Sequence, residues 1–167
     1  GGLEDIKKRI IRSIGEPSLR FREDPVRMIR AARFCAQLGF RLSGNDYKAA
    51  IQNAHLIETA NQNRLLDELY KILRCGSAAE TIAYLRRFKL LAHWLPQLSE
   101  QAIHPALHRR LTIIDLHRFT GQEIPNCVLI SCLFYDLFTP VLDKVSATGN
   151  IQEAFIAIRD NFQSLAQ

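Results

Sequence analysis

The chain has 167 residues, of which 47% are apolar and 23% charged, and its formal net charge is +5. That length suits a single domain or slightly more, with a core able to remove about 68–70% of the unfolded surface from water. No apolar run approaches the roughly 20 residues that span a bilayer, and the composition excludes a disordered or collagen-like chain.

Apolar residues recur every three or four positions rather than every two, so no strand is predicted. Residues 3–13 predict a helix stopped by Gly15-Glu16-Pro17. A second helix is predicted over 25–38. Asp24 suits its N-cap, Pro25 its first position and Gly39 its left-handed C-terminal end. Met28, Ala31, Ala32, Cys35 and Leu38 share one face of it, which should be core. Further helices are predicted over 44–57, 61–74, 78–87 and 89–94, the last before Pro96. Residues 105–119 follow, between Pro105 and Gly121, and then 126–138, between Pro125 and Pro140. A short turn around 141–146 and a helix over 150–166 complete an all-α array of short helices. No fixed repeat or long linker interrupts it.

The positive charge is local. Residues 1–33 carry nine lysines and arginines against five acids, while the remaining 134 carry thirteen against twelve. Such a concentration suits contact with nucleotide or nucleic acid, although many solvated helices are basic. The four cysteines, at 35, 75, 127 and 132, form no Cys-x-x-Cys pair. They read as buried free thiols in a reducing, cytoplasmic compartment rather than as zinc ligands. The opening Gly1-Gly2-Leu3-Glu4-Asp5 lacks an initiator methionine and reads as the interior of a longer polypeptide.

Within the basic region, Glu23, Arg27 and Arg30 form a stripe at i, i+4 and i+7, with Asp24 at the mouth of the same helix. Two readings fit. In the first, Asp24 accepts a backbone N–H of Val26 or Arg27, and Glu23 pairs with Arg27, each contributing at most about 0.5–2 kcal/mol. In the second, a carboxylate beside a guanidinium presents an acceptor next to a donor. Adenine shows N6–H beside N1, and cytosine N4–H beside N3; both match. Uracil and guanine show the reverse order. A desolvated site of this kind can reject the wrong base by roughly 10⁴, because its own polar groups would stay unpaired.

"GGLEDIKKRIIRSIGEP", "RFREDPVRMIRAARFCAQLGF" and "RLLDELYKIL", taken in that order and spacing, resemble successive blocks of the bacterial poly(A) polymerase and tRNA nucleotidyltransferase family over about residues 1–98. The resemblance implies the neck and part of the body of a class II nucleotidyltransferase. Residues 1–76 would be the neck, which selects the base, and 77–167 a helical body able to touch RNA. The family's Glu-Asp-x-x-Arg signature falls on Glu23, Asp24 and Arg27. Asp24 and Arg27 would then read the base, with Glu23 orienting them. Arg30, on the same stripe, extends the site toward a triphosphate or RNA phosphate. Ala31, Phe34 and Ala36 would be packing.

Arg64, Glu68 and Lys71 read either as a surface salt-bridge ladder or as a brace for the base-reading helix, with Glu68 or Lys71 holding an arginine in place. Arg86, Arg87 and Lys89, and Arg109 and Arg110, are small basic clusters that either are simply solvated or track an RNA backbone. His104 and His108 are four apart, but Pro105 leaves His104 outside the helix, which argues against a metal site. Trp94 reads as core packing.

The family's two Mg²⁺ ions need an Asp-x-Asp carboxylate pair, and this sequence has none. The implied activity of the whole enzyme is polynucleotide adenylyl transfer, with ATP and RNA 3′ ends as partners. Mg²⁺ would bind a catalytic head upstream of residue 1, and this stretch alone would be inactive. Pro25 after the Glu-Asp pair, and the preceding "GEP", favour the poly(A) branch. The CCA-adding branch, acting on tRNA, stays open, as does an all-α protein-binding scaffold.

Overall fold

The computed structural model describes residues 1–148, so the helix expected over 150–166 lies outside the described residues. The order is α1 (Gly2–Lys7), β1 (Ile10–Ile11), α2 (Pro17–Glu23), α3 (Val26–Leu38), β2 (Arg41–Leu42) and α4 (Gly44–Gln52). A 3-10 turn at Ala54–Thr59 leads to α5 (Gln62–Arg74), α6 (Ala78–Arg87), α7 (Leu90–Trp94) and α8 (Pro96–Gln101). Then come α9 (Pro105–His117), a 3-10 turn at Arg118–Thr120, and α10 (Asn126–Thr148). The fold is all-α apart from one short parallel pair, Ile10 beside Arg41 and Ile11 beside Leu42.

Several sequence-based expectations are corrected, among them the helix over 44–57, which breaks after Gln52 into the 3-10 turn. The first helix stops at Lys7 rather than at residue 13, because Arg9 turns left-handed (φ 53°) and the chain enters β1. The pair that β1 makes with β2 joins segments thirty residues apart, so no local pattern announces it. Helix α2 was not expected. Glu16 caps it by accepting the Leu19 N–H at 2.6 Å, and Pro17 takes its first position. Helix α8, likewise unexpected, also begins on a proline, Pro96. Helix α10 runs through Pro140 and the expected turn at 141–146.

Helix α3 packs against α5 and α6, and α9 packs on α6. Met28, Ile29, Ala32 and Cys35 from α3 meet Leu69, Ile72 and Leu73 from α5 and Ile82 and Leu85 from α6 in one continuous core. Leu38, expected in that core, is exposed, and so is Phe34. Trp94 packs against the core from its edge. Of the cysteines, Cys35 and Cys75 are buried as expected. Cys127 is exposed and Cys132 half-buried. Burial pushes the Cys35 thiol up to about 11, so it is inert at neutral pH.

Two acids, the buried Asp46 and the half-buried Asp115, tie loops to helices. Asp46 accepts the Ser13 N–H at 2.9 Å and the Ser43 hydroxyl, fixing the exit of β1 on α4. Asp115 of α9 accepts the N–H groups of Ala78 and Ala79 at 2.6 and 3.1 Å, capping α6 from another helix. Among the described residues no helix is long and apolar enough to cross a membrane.

Candidate functional site

The break between α2 and α3 builds the site. Asp24 is extended (φ −151°, ψ 92°) and ends α2, its N–H donating to the Arg20 carbonyl. Asp24 is not the N-cap of α3 expected from sequence, a position that falls on Pro25, although the Val26 N–H lies near its carboxylate. Its carboxylate instead reaches across to α5. Oδ2 accepts from an Arg64 terminal nitrogen at 2.7 Å and lies 3.7 Å from Arg27 Nε. Oδ1 is buried and, among the described residues, has no hydrogen-bond partner.

Burial pushes the Asp24 carboxyl up. The Arg64 hydrogen bond, the Arg64 and Arg30 charges and the nearby Val26 N–H outweigh it and leave the group below its ordinary value. It is therefore an anion at neutral pH, with one oxygen short of a donor.

Arg27 makes only long contacts: 3.4 Å to Glu23 Oε2, 3.5 Å to the Arg20 carbonyl and 3.7 Å to Asp24. Glu23 binds Arg20 more closely, at 2.7 Å, so it is shared between two arginines. Arg27 and Arg30 line a cleft of about 210 Å³ with Arg12, Ala31 and Phe34, and Asp24 is not among its walls. Asp24 and Arg27 thus stand side by side, but Arg27 faces the cleft while Asp24 sits deeper, against Arg64.

One turn beyond Arg64, the same α3–α5 seam holds Glu68, whose side chain is 1% exposed. Oε1 accepts Arg30 Nε and Lys71 Nζ, both at 3.0 Å, and Oε2 accepts an Arg33 terminal nitrogen at 3.2 Å. Burial acts to raise its pKa, and the Lys71 and Arg30 hydrogen bonds with the Arg33 charge bring it below its ordinary value. Arg30 therefore leaves the Glu23 stripe and joins Glu68. Arg64 bonds Asp24, not Glu68.

The remaining basic candidates scatter. Arg86, Lys89 and Arg109 are exposed. Arg87 lies over the Tyr84 ring at 5.4 Å. Arg110 is engaged with α10, donating to the Cys132 carbonyl at 2.9 Å and to Asp136 at 2.5 Å. His104 caps α9 through the Ala106 N–H at 3.3 Å. Among the described residues no three His, Cys, Asp or Glu side chains come together as a metal site. Sequence reasoning overlooked Arg33, which completes the Glu68 cluster. It lies three positions from Arg30 on α3, a spacing that could have drawn attention to it.

Residues 39–102 match a family described as "Probable RNA and SrmB- binding site of polymerase A". Poly(A) polymerase I of Salmonella typhi is 38% identical over 169 residues, covering 97% of this chain and 35% of that protein. A CCA-adding enzyme of Geobacillus thermodenitrificans is 45% identical over 101 residues, 60% of this chain and 25% of that protein. The chain belongs to this family of poly(A) polymerases and CCA-adding enzymes. It spans only about a third or a quarter of the length of these family members. The fold agrees: a solved tRNA nucleotidyltransferase, complexed with a primer tRNA and an incoming ATP analog, superposes with a TM-score of 0.63 at 28% identity. That match covers 82% of this chain and 41% of the other.

Proposed function

We propose that this chain selects the nucleotide and handles the RNA 3′ end in a template-independent polymerase that adds AMP from ATP. Asp24 and Arg27 read the base, Glu23 steadies Arg27, and Arg64 and the Glu68 cluster hold the two helices in register. The observation that carries this reading is the half-satisfied Asp24: an ionised carboxylate, beside the loosely held Arg27, with one buried oxygen lacking a donor. Leaving such an oxygen unpaired costs about 1–3 kcal/mol or more. The exocyclic amine of adenine would supply the donor, and Arg27 would donate to N1. Because Oδ1 has no exposed area, the base must displace a neighbour.

In the reaction the family resemblance implies, the RNA 3′-hydroxyl attacks the α-phosphate of ATP and pyrophosphate leaves. Magnesium, where bound, lowers the barrier to that displacement. The residues here do not fit a two-magnesium site, having no Asp-x-Asp pair in sequence and no acidic cluster among the described side chains. We assign no metal-dependent step to them. The carboxylates that hold Mg²⁺ would lie in a head outside this stretch, and the stretch alone would be inactive, in the cytoplasm where its cysteines stay reduced.

The poly(A) reading is supported by a poly(A) polymerase match that runs through 97% of the chain. The higher identity of the CCA-adding enzyme over 60% of it favours CCA addition to tRNA as the second reading. In a polypeptide carrying both this chain and a catalytic head, each of the four nucleoside triphosphates is offered in turn. ATP alone, extended on many RNAs, supports the first reading. C followed by A, on tRNA only, supports the second. Incorporation without base preference overturns both.

A further inference from the structure

Farther along α5 the structure holds a second cavity, of about 400 Å³, between α3, α5 and the turn that follows α9. Arg33, Gln37, Tyr70, Lys71, Arg74 and Arg118 line it. Arg74 lies ten residues beyond Arg64, so the cavity is about 15 Å along the helix from Asp24's partner. It shares no wall with the cleft beside Arg27.

Its charge is poorly compensated. Four cations line it and no carboxylate does. Arg33 and Lys71 must share Glu68 with Arg30. The carboxylate paired with Arg74 is that of the exposed Glu123, at 3.7 Å, and Arg74 also donates to the Asn126 side chain. Among the described residues Arg118 pairs with no carboxylate, donating to Cys75 O at 2.8 Å. Gly76 makes room for it. A Cβ there would lie 2.8 Å from Arg118 Cδ, and the left-handed φ of +73° already favours glycine. Tyr70 adds an aromatic wall, with the Arg74 guanidinium 5.3 Å from its ring centre.

We infer that this cavity is a phosphate subsite for single-stranded RNA, in which Lys71, Arg74 and Arg118 hold a phosphodiester beside Tyr70. The inference rests on the reading that the chain handles RNA. Cations interleaved with an aromatic surface are the combination that single strands use, and a free anion needs no aromatic wall. The separation of about 15 Å along α5 places the contact some nucleotides away from the base-reading end.

The test is fluorescence anisotropy of the 167-residue chain with labelled oligoadenylates of about three and about ten nucleotides across a salt series. ATP and inorganic tripolyphosphate serve as competitors. The longer RNA should bind better. Arg74→Gln should weaken it several-fold and flatten the log–log salt slope by about 0.7 per lost phosphate contact. Gln37→Lys, adding a cation, should steepen the slope, and Tyr70→Leu should weaken binding with the slope unchanged. Thermal melting checks that each variant folds.

RNA binding unaltered in folded Arg74→Gln and Gln37→Lys would make the cations purely structural and overturn the inference. So would an equal loss of ATP or tripolyphosphate binding, which would hand the cavity to a nucleotide's phosphates. Absence of RNA binding by the unmodified chain would overturn the RNA-handling reading itself, a distinct result. Failure of base reading by Asp24 would appear only in nucleotide choice and leave the salt slope untouched.

Discussion

Asp24 lies at the mouth of the α3–α5 seam and Glu68 midway along it, and their surroundings are opposite. Glu68 is buried with both oxygens bonded to three cations. Asp24 is half-buried, and its buried Oδ1 has no hydrogen-bond partner among the described residues. Both remain ionised, because neighbouring cations outweigh the burial: Arg64 at Asp24, and Lys71 with Arg30 and Arg33 at Glu68. A satisfied acid locks helices together; a half-satisfied one is poised for something that arrives later. The seam thus combines a clamp at Glu68 with the carboxylate proposed to read the base, Asp24, and the clamp explains how two basic helices pack side by side.

The largest effect that would break this contrast comes from the clamp. Glu68→Ala leaves Arg30, Arg33 and Lys71 without their shared anion. Removing one partner of a buried ion pair costs about 3–5 kcal/mol, and the low end applies because Arg30 and Lys71 reach water. Urea unfolding measures it. A loss under about 1 kcal/mol would make Glu68 an ordinary surface acid.

Next comes pH. The folded pKa of Glu68 lies below its ordinary value of 4.5. Its stabilisation is therefore complete above the unfolded value and is lost as pH falls through the lower, folded one. Unfolding curves of the unmodified chain and Glu68→Gln should differ at neutral pH and converge below about pH 4.5. Parallel curves would show that ionisation of Glu68 contributes nothing. Asp24 should behave in the same direction with a smaller amplitude, since its Arg64 partner is half exposed. The smallest expected effect on stability is Asp24→Ala, a melting shift of a few degrees at most. A loss as large as that of Glu68→Ala would make Asp24 a second clamp.

The helices with strong local punctuation were readable from sequence. Asn61 caps α5 through the Arg64 N–H, and Gly39 ends α3 in the left-handed conformation. The pattern failed where the decisive contact is distant or the apolar signal thin. Helix α2 buries only Phe21 and is capped by a glutamate, a residue type not favoured there. At the site, the arginine–carboxylate composition and the adjacency of Asp24 and Arg27 could be read. Which acid each arginine would choose could not. Arg64 finds Asp24 forty residues away and Arg30 finds Glu68 thirty-eight away. Those pairings depend on how α5 docks on α3, a matter of core packing by Ile29, Leu69 and Ile72 rather than of local spacing.

The most direct measurement is base choice by Asp24→Ala in a polypeptide carrying the catalytic head, scored as incorporation of ATP against CTP, GTP and UTP. The account predicts that preference for ATP drops by at least about tenfold while the melting temperature barely moves. Unchanged preference in a variant that only melts earlier would contradict it, leaving Asp24 as a helix-joining anion and no more.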